Sequence, residues 1–160
     1  MRALDPLKLF RIVVGVFVAL SLALTFFAIE AQVPYRFGGS GARDDVATDA
    51  FAHGTGISAP LVFLVAFVVL LALTWIPGRW KAIPLFLTAV AGVIGFIAGI
   101  AEIPLGSGPF AYPLGAVPVA LWLLSMAAVI GIVISGLAAG ISALRHPTRS
   151  VDPEVGRSSR

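Results

Sequence analysis

Residues 116–144 read AVPVALWLLSMAAVIGIVISGLAAGISAL and contain no charged side chain. A helix needs about 20 apolar residues to cross the hydrocarbon core of a bilayer, so this stretch alone is long enough to span a membrane. Three more uncharged apolar stretches precede it, at 12–29, 54–78 and 82–101. The sequence therefore predicts an all-α integral membrane protein built as a bundle of four transmembrane helices.

The composition agrees with that class. Hydrophobic residues make up 59% of the chain and charged residues 12%, whereas a soluble domain is about 25% charged. The net charge is +3, but the basic residues flank the apolar stretches and form no continuous stripe of the kind that phosphate binding needs. We therefore expect the chain to bind the lipid bilayer and no nucleic acid.

The absence of certain residue types narrows the chemistry. The chain has no Cys, and neither of its two His residues lies within an apolar stretch. A disulfide, a cysteine zinc site, an iron–sulfur cluster and a buried bis-histidine haem are thereby excluded. We expect no cofactor.

The distribution of positive charge predicts the orientation. Nine of the eleven Lys and Arg lie in the N-terminus, in the turn at 79–81 or in the C-terminal tail. The positive-inside rule then puts both termini in the cytoplasm.

The excess of Arg over Lys, together with abundant Ala, Val and Gly, indicates a bacterial gene, and the predicted location is the bacterial plasma membrane. The predicted segments are a cytoplasmic N-terminus at 1–8, spans at 9–31, 58–76, 84–101 and 116–144, extracytoplasmic loops at 32–57 and 102–115, a cytoplasmic turn at 77–83 and a basic tail at 145–160.

Small residues recur at every fourth position on three of the four predicted spans. In lipid, such a stripe lets two helix backbones approach closely. We expect the first, third and fourth spans to make tight contacts, with the second more exposed to lipid. We also expect Ser21, Ser125 and Ser135 to form hydrogen bonds between helices. The residues assigned to helix packing are Gly15, Ala19, Ala23, Ala91, Gly95, Gly99, Gly131, Ser135, Gly136 and Gly140.

Two carboxylates end predicted spans on the outer side. Glu30 and Glu102 each follow a small-residue stripe at spacings that return to nearly the same helical face. One interpretation makes them a paired site for a proton, a cation or a basic partner, since acids within membranes tend to be functional. The other makes them interfacial residues that end an apolar span in water. The second is favoured because each lies at the very boundary of its span.

The first outer loop carries Asp45, Asp49 and His53 at intervals of four. A helix over 44–52 would align them on one side, where two carboxylates and an imidazole could hold a divalent metal. Because the sequence offers neither a fourth ligand nor a second shell, a solvated helix face is the favoured interpretation. We assign no metal site.

The second outer loop, at 102–115, has no charge after Glu102 and is rich in proline. A loop left in water would normally be polar, so this one should dock on another subunit, pack on the bundle or lie against the outer leaflet. A re-entrant interfacial turn is an equal alternative. The candidate docking residues are Pro104, Pro109, Phe110, Tyr112 and Pro113.

These features point away from catalysis, since the serines of the spans have no His or Lys near them in sequence. We expect a non-catalytic accessory or structural subunit of a larger plasma-membrane complex, either a transporter or a respiratory assembly. Its partners would be larger integral membrane subunits. The alternative is a small homo-oligomeric transporter coupled to ions or protons through Glu30 and Glu102.

Overall fold

The computed structural model describes residues 5–31, 46–55, 57–101 and 115–145. Over these residues the fold is all-α, as predicted. The regular elements, in chain order, are helix α1 at Pro6–Glu30, helix α2 at Val46–His53, helix α3 at Leu61–Leu73, a single 3-10 turn at Arg79–Lys81, helix α4 at Ala82–Ala101 and helix α5 at Ala116–Arg145.

Three of these segments are long and apolar enough to cross a membrane. They are α1, the 3-10 turn together with α4, and α5. Helix α3 is equally apolar but has 13 residues, and at 1.5 Å per residue it rises about 20 Å. That is shorter than a hydrocarbon core of about 30 Å, so a fourth span remains a prediction.

Local chemistry explains why α3 is shorter than the predicted span at 58–76. The predicted span begins at Ser58, but the backbone and side chain of this residue are engaged in a turn with Thr55. Pro60 then adopts an extended ψ of 146°, and the helix starts at Leu61. At the other end Pro77 disfavours helical geometry in the residue before it, and the chain from Thr74 to Ile76 tightens into hydrogen bonds to the third residue back.

The other boundaries lie close to the predicted ones. Helix α1 begins at Pro6 because the Asp5 carboxylate accepts a hydrogen bond from the backbone N–H of Leu7 at 3.0 Å, and proline fits the first turn of a helix. Helix α5 follows Gly115, whose φ is +76°. Its bounds and the end of α4 match the predicted spans to within one residue.

Helix α5 lies at the centre of the bundle and packs against both α1 and α4 along their length. Helix α3 contacts α1 and α4 over smaller areas, and Val62, Val65 and Val69 on its outer face are exposed. This arrangement is the one predicted for the first, third and fourth spans. The core consists of Phe10, Val14, Phe17, Leu64, Phe67, Leu85, Ala128, Val129, Ile132 and Ala139.

The segment that contains α3 connects the two ends of the bundle. Ile57 packs with Leu24 and Ala28 near the end of α1, while Thr74 is hydrogen-bonded to Arg11 near its start. Helix α2 lies beside the end of α1, where the rings of Phe26 and Phe51 meet edge to face at 6.1 Å. We call the end that carries α2 and Ile57 the loop end, and the end that carries Arg11 the basic end.

Candidate functional site

The predicted small-residue stripe on α5 is used inside the bundle. Ser135, Gly136 and Gly140 are buried, and Gly131 is partly buried. The three glycines leave almost no room for a side chain. A Cβ would lie 3.0 Å from Val13 at Gly131, 3.2 Å from the carbonyl oxygen of Leu85 at Gly136, and 2.9 Å from the Phe86 ring at Gly140.

The stripe predicted on α1 makes no contact of this kind with the described residues. Gly15 and Ala19 are exposed, Ala23 is partly buried, and a Cβ at Gly15 would meet no atom within 4 Å. The face of α1 that packs on the bundle instead carries Phe10 and Phe17. Because α5 contributes glycine at this interface, α1 must supply the volume that fills it.

The stripe on α4 has a third arrangement. Gly99 packs tightly, since a Cβ there would lie 2.8 Å from the sulfur of Met126. Gly92, which belongs to none of the predicted stripes, is packed as closely, since a Cβ there would lie 3.0 Å from the Val133 side chain. Ala91 and Gly95 are only partly buried. Both line an open space, and across it a Cβ at Gly95 would lie 3.5 Å from the Phe63 ring of α3.

That space is a pocket of about 250 Å³ at the loop end of the bundle. We call it the outer pocket. Protein interiors have few voids larger than a water molecule, so a space of this size is unusual within a helical bundle. Its wall alternates aromatic rings with small residues from α1, α3, α4 and α5. Among the lining residues are Phe17, Phe63, Phe67, Gly95, Trp122 and Met126.

The turn at Thr55 and Ser58 forms the polar end of the outer pocket. The Thr55 Oγ1 accepts hydrogen bonds from the backbone N–H groups of Ile57 and Ser58, at 3.3 and 3.1 Å. It also lies 2.9 Å from the Ser58 Oγ. Either hydroxyl can donate in this contact. When Thr55 donates, the Ser58 hydroxyl has its own proton to offer to the pocket that this residue lines.

Two of the three serines expected to bond between helices, Ser125 and Ser135, are instead bonded within α5. Ser125 donates to the carbonyl of Trp122, and Ser135 donates to that of Gly131. Thr25 in turn donates to the carbonyl of Ser21. Such bonds to a carbonyl three or four residues back satisfy a buried hydroxyl without a partner helix.

At the basic end, Arg11 joins α1 to the end of α3. Its Nε donates to the Thr74 Oγ1 at 3.2 Å, and its Nη2 donates to the Thr74 carbonyl at 3.0 Å. The guanidinium lies 4.0 Å from the centre of the Trp75 ring. A cation here stabilises the carbonyl end of a helix. From the sequence alone, Arg11 indicates only the orientation of the chain in the membrane, because its partner Thr74 lies 63 residues away.

Several predicted residues cannot be compared with the structure. Glu30 is the last residue of α1 and is exposed, but Glu102 lies outside the described residues, so the paired-carboxylate hypothesis stays untested. The docking residues of the second outer loop, Pro104, Pro109, Phe110, Tyr112 and Pro113, also lie outside them. His53 ends α2, while Asp45 and the side chain of Asp49 are not described.

The described part of the molecule therefore offers three features with functional potential. One is the outward stripe of Gly15 and Ala19, another is the outer pocket, and the third is the contact between Arg11 and the end of α3. The first two lie within the apolar part of the bundle and the third at its basic end. No protein family, curated protein or solved structure matches the chain.

Proposed function

We propose that the chain is a non-catalytic accessory or structural subunit of a larger bacterial plasma-membrane complex, either a transporter or a respiratory assembly. The observation that carries this proposal is the outward stripe of Gly15 and Ala19 on α1. In a membrane, a strip of small residues on the outside of a bundle allows the backbone of a second helix to approach closely. The partner is then a larger integral membrane protein.

The contrast between α1 and α5 supports this proposal. At each glycine of α5, a neighbouring side chain or backbone atom fills the space where a Cβ would lie, whereas Gly15 faces open space. A glycine within a helix costs about 0.5–1 kcal/mol relative to alanine, and facing lipid it gains no packing in return. A second helix packed against the stripe would supply that compensation.

The experiment is purification of a chromosomally tagged copy in mild detergent, followed by native mass determination. We expect a larger membrane protein to co-purify at fixed stoichiometry. The double substitution Gly15→Leu and Ala19→Leu should abolish its recovery while leaving the bundle folded, because Gly15 has no neighbour within 4 Å and Ala19 is exposed.

The matched control is the double substitution Ala66→Leu and Ala72→Leu, which places two leucines at exposed positions of α3. The control should retain the partner. Loss of the partner in both variants would show that the stripe has no special part in the association, and retention in both would rule out α1 as the docking face.

The transporter alternative is distinguished by the same preparation. If the chain is recovered only as itself, Glu30→Gln and Glu102→Gln should be assayed for transport in liposomes. Transport by a stable monomer, lost on either substitution, would overturn the subunit proposal.

A further inference from the structure

We infer that the outer pocket is a binding site for one acyl chain of a membrane glycerolipid. The first support is the chemistry of the wall. The lining combines aromatic rings, small residues and aliphatic side chains, and none of its described residues is charged. A flexible hydrocarbon chain is the ligand class that such a surface solvates best.

Access to the pocket is the second support. Ile94 belongs to its lining and is also 58% exposed on the outside of α4. The pocket is therefore continuous with the lipid-facing surface beside α4, where the contacts with α3 are sparse. A chain from the surrounding leaflet can enter sideways without unfolding a helix.

Water is a poor occupant of the same space. A buried water molecule needs about 2–4 polar partners, and the hydroxyls beside the pocket are largely committed. Ser125 donates to the Trp122 carbonyl, and Thr55 is engaged by Ile57 and Ser58. Hydrocarbon fills the volume without asking for hydrogen bonds.

The polar end of the pocket can bind the ester group to which the acyl chain is attached. Ser58 lies at the loop end where α3 begins, and its hydroxyl can donate to a ligand when Thr55 is the donor in the contact between the two hydroxyls. An ester carbonyl is a hydrogen-bond acceptor with no proton of its own, and it sits directly above the acyl chain in a glycerolipid. The hydroxyl of Ser58 would donate to that carbonyl while the chain lies between Phe17, Phe67 and Met126.

The pocket exists because α4 presents small residues where α3 presents rings. A Cβ at Gly95 would lie 3.5 Å from the Phe63 ring, which is an ordinary contact. The position therefore accepts a first carbon without strain, and any longer side chain extends into the space that the lipid would use. Gly95→Leu is the substitution that fills the pocket from within.

The test uses Trp122, which lines the pocket and is only 4% exposed. Replacing the other two tryptophans, Trp75→Phe and Trp80→Phe, leaves it as the sole indole. The full chain is reconstituted into phosphatidylcholine vesicles whose acyl chains carry bromine, a contact quencher of indole fluorescence. A reference variant carries Leu123→Trp and Trp122→Phe in addition to these two substitutions. Its indole lies on the adjacent residue, on the exposed face and at nearly the same depth.

We expect bromine on the acyl chain to quench the buried Trp122 about as strongly as the exposed indole of the reference. Gly95→Leu should remove most of the quenching of Trp122, and Phe63→Ala, which enlarges the pocket, should retain or increase it. Ala66→Leu, on the exposed face of α3, should leave it unchanged. Circular dichroism of each variant establishes that the helices are retained.

Two results would overturn the inference. One is that acyl-chain bromine quenches the indole of the reference but does not quench Trp122. The other is quenching that Gly95→Leu leaves intact in a folded protein, since the lipid would then be outside the pocket. The inference does not rest on the subunit proposal, because the vesicles contain no other protein.

Discussion

At the scale of single residues, the glycine that ends α2 has two separate reasons to be glycine. Gly54 has a φ of +72°, and its N–H donates to the carbonyl of Ala50 at 3.1 Å. This is the geometry in which glycine commonly ends a helix. A Cβ at this position would also lie 2.7 Å from the backbone nitrogen of Pro60, so the turn beside the outer pocket closes directly over it.

Gly54→Ala should therefore lower the thermal midpoint of unfolding in detergent more than Gly78→Ala does. Gly78 has a similar φ of +81° but has no atom within 4 Å of a Cβ. Its ψ of −162° is essentially restricted to glycine, so its substitution should cost the backbone strain alone, about 1–3 kcal/mol. Equal losses at the two positions would show that the contact with Pro60 relaxes and that only φ matters.

At the scale of helices, the bundle is assembled by pairing large residues on one helix with small residues on another. Phe10 of α1 lies 3.2 Å from where a Cβ of Gly136 would be, and Ala89 of α4 lies 3.4 Å from the same point. The backbone of α4 also approaches through the carbonyl oxygen of Leu85. Helix α5 is thus held between α1 and α4 at a single glycine.

Gly136→Ala should destabilise the protein, although the same substitution in an open helix position is stabilising. At the exposed Gly15, alanine should raise the free energy of unfolding by about 0.5–1 kcal/mol through helix propensity alone. Unfolding of both variants in the same detergent supplies the comparison. If Gly136→Ala is as stable as Gly15→Ala, the close approach of the three helices is not required.

A second helix-scale feature is the polar contact between Arg11 and the end of α3. Thr74 is 1% exposed and bonds at its side chain and its carbonyl to the same guanidinium. The Thr74 hydroxyl in turn donates to the carbonyl of Leu71 at 2.7 Å. Arg11 therefore satisfies carbonyl groups that the end of a helix leaves without partners.

Arg11→Gln should lower stability by about 2 kcal/mol, because hydrogen bonds to charged groups contribute ~1.5–3 kcal/mol. Arg11→Lys should restore little, since an ammonium cannot reproduce the planar fork of donors. Lys8→Gln, on the exposed side of α1, is the control and should have almost no effect. In a double-mutant cycle, Arg11→Gln combined with Thr74→Val should lose less stability than the sum of the two single losses. Additive losses would contradict a direct bond.

At the scale of the whole molecule, the described basic residues collect at one end. Arg11 contacts the end of α3, the 3-10 turn Arg79–Lys81 follows it, and α5 contacts this turn before ending at Arg145. The exposed Glu30 and helix α2 lie at the other end. This polarity agrees with the charge pattern from which the orientation was predicted.

Single-cysteine labelling tests that orientation and the number of spans, because the natural chain contains no cysteine. Thr48→Cys lies on α2 at the loop end, and Trp80→Cys lies in the 3-10 turn at the basic end; both positions are exposed. A membrane-impermeant maleimide should label the first on intact cells and the second only after permeabilisation. Labelling of both without permeabilisation would mean that the segment containing α3 does not cross the bilayer.

The sequence by itself determined the helical class and most helix boundaries. Long uncharged stretches admit few structures other than helices in lipid, and the caps and prolines that bound them act on adjacent residues. This is why the bounds of α4 and α5 were predicted closely. The end of α3 was overestimated because apolar content continues to Ile76, while Pro77 stops the helix earlier.

Only the tertiary structure decided which faces meet and which are left open. Three stripes of small residues look alike in the sequence, yet that of α5 is packed, that of α4 borders the outer pocket and that of α1 faces outward. The outcome depends on what the neighbouring helix presents opposite each stripe, such as Phe10 against Gly136. Likewise the bond between Arg11 and Thr74 joins residues 63 positions apart. Periodicity within one helix carries no information about its partner, so these choices appear only when the helices are brought together.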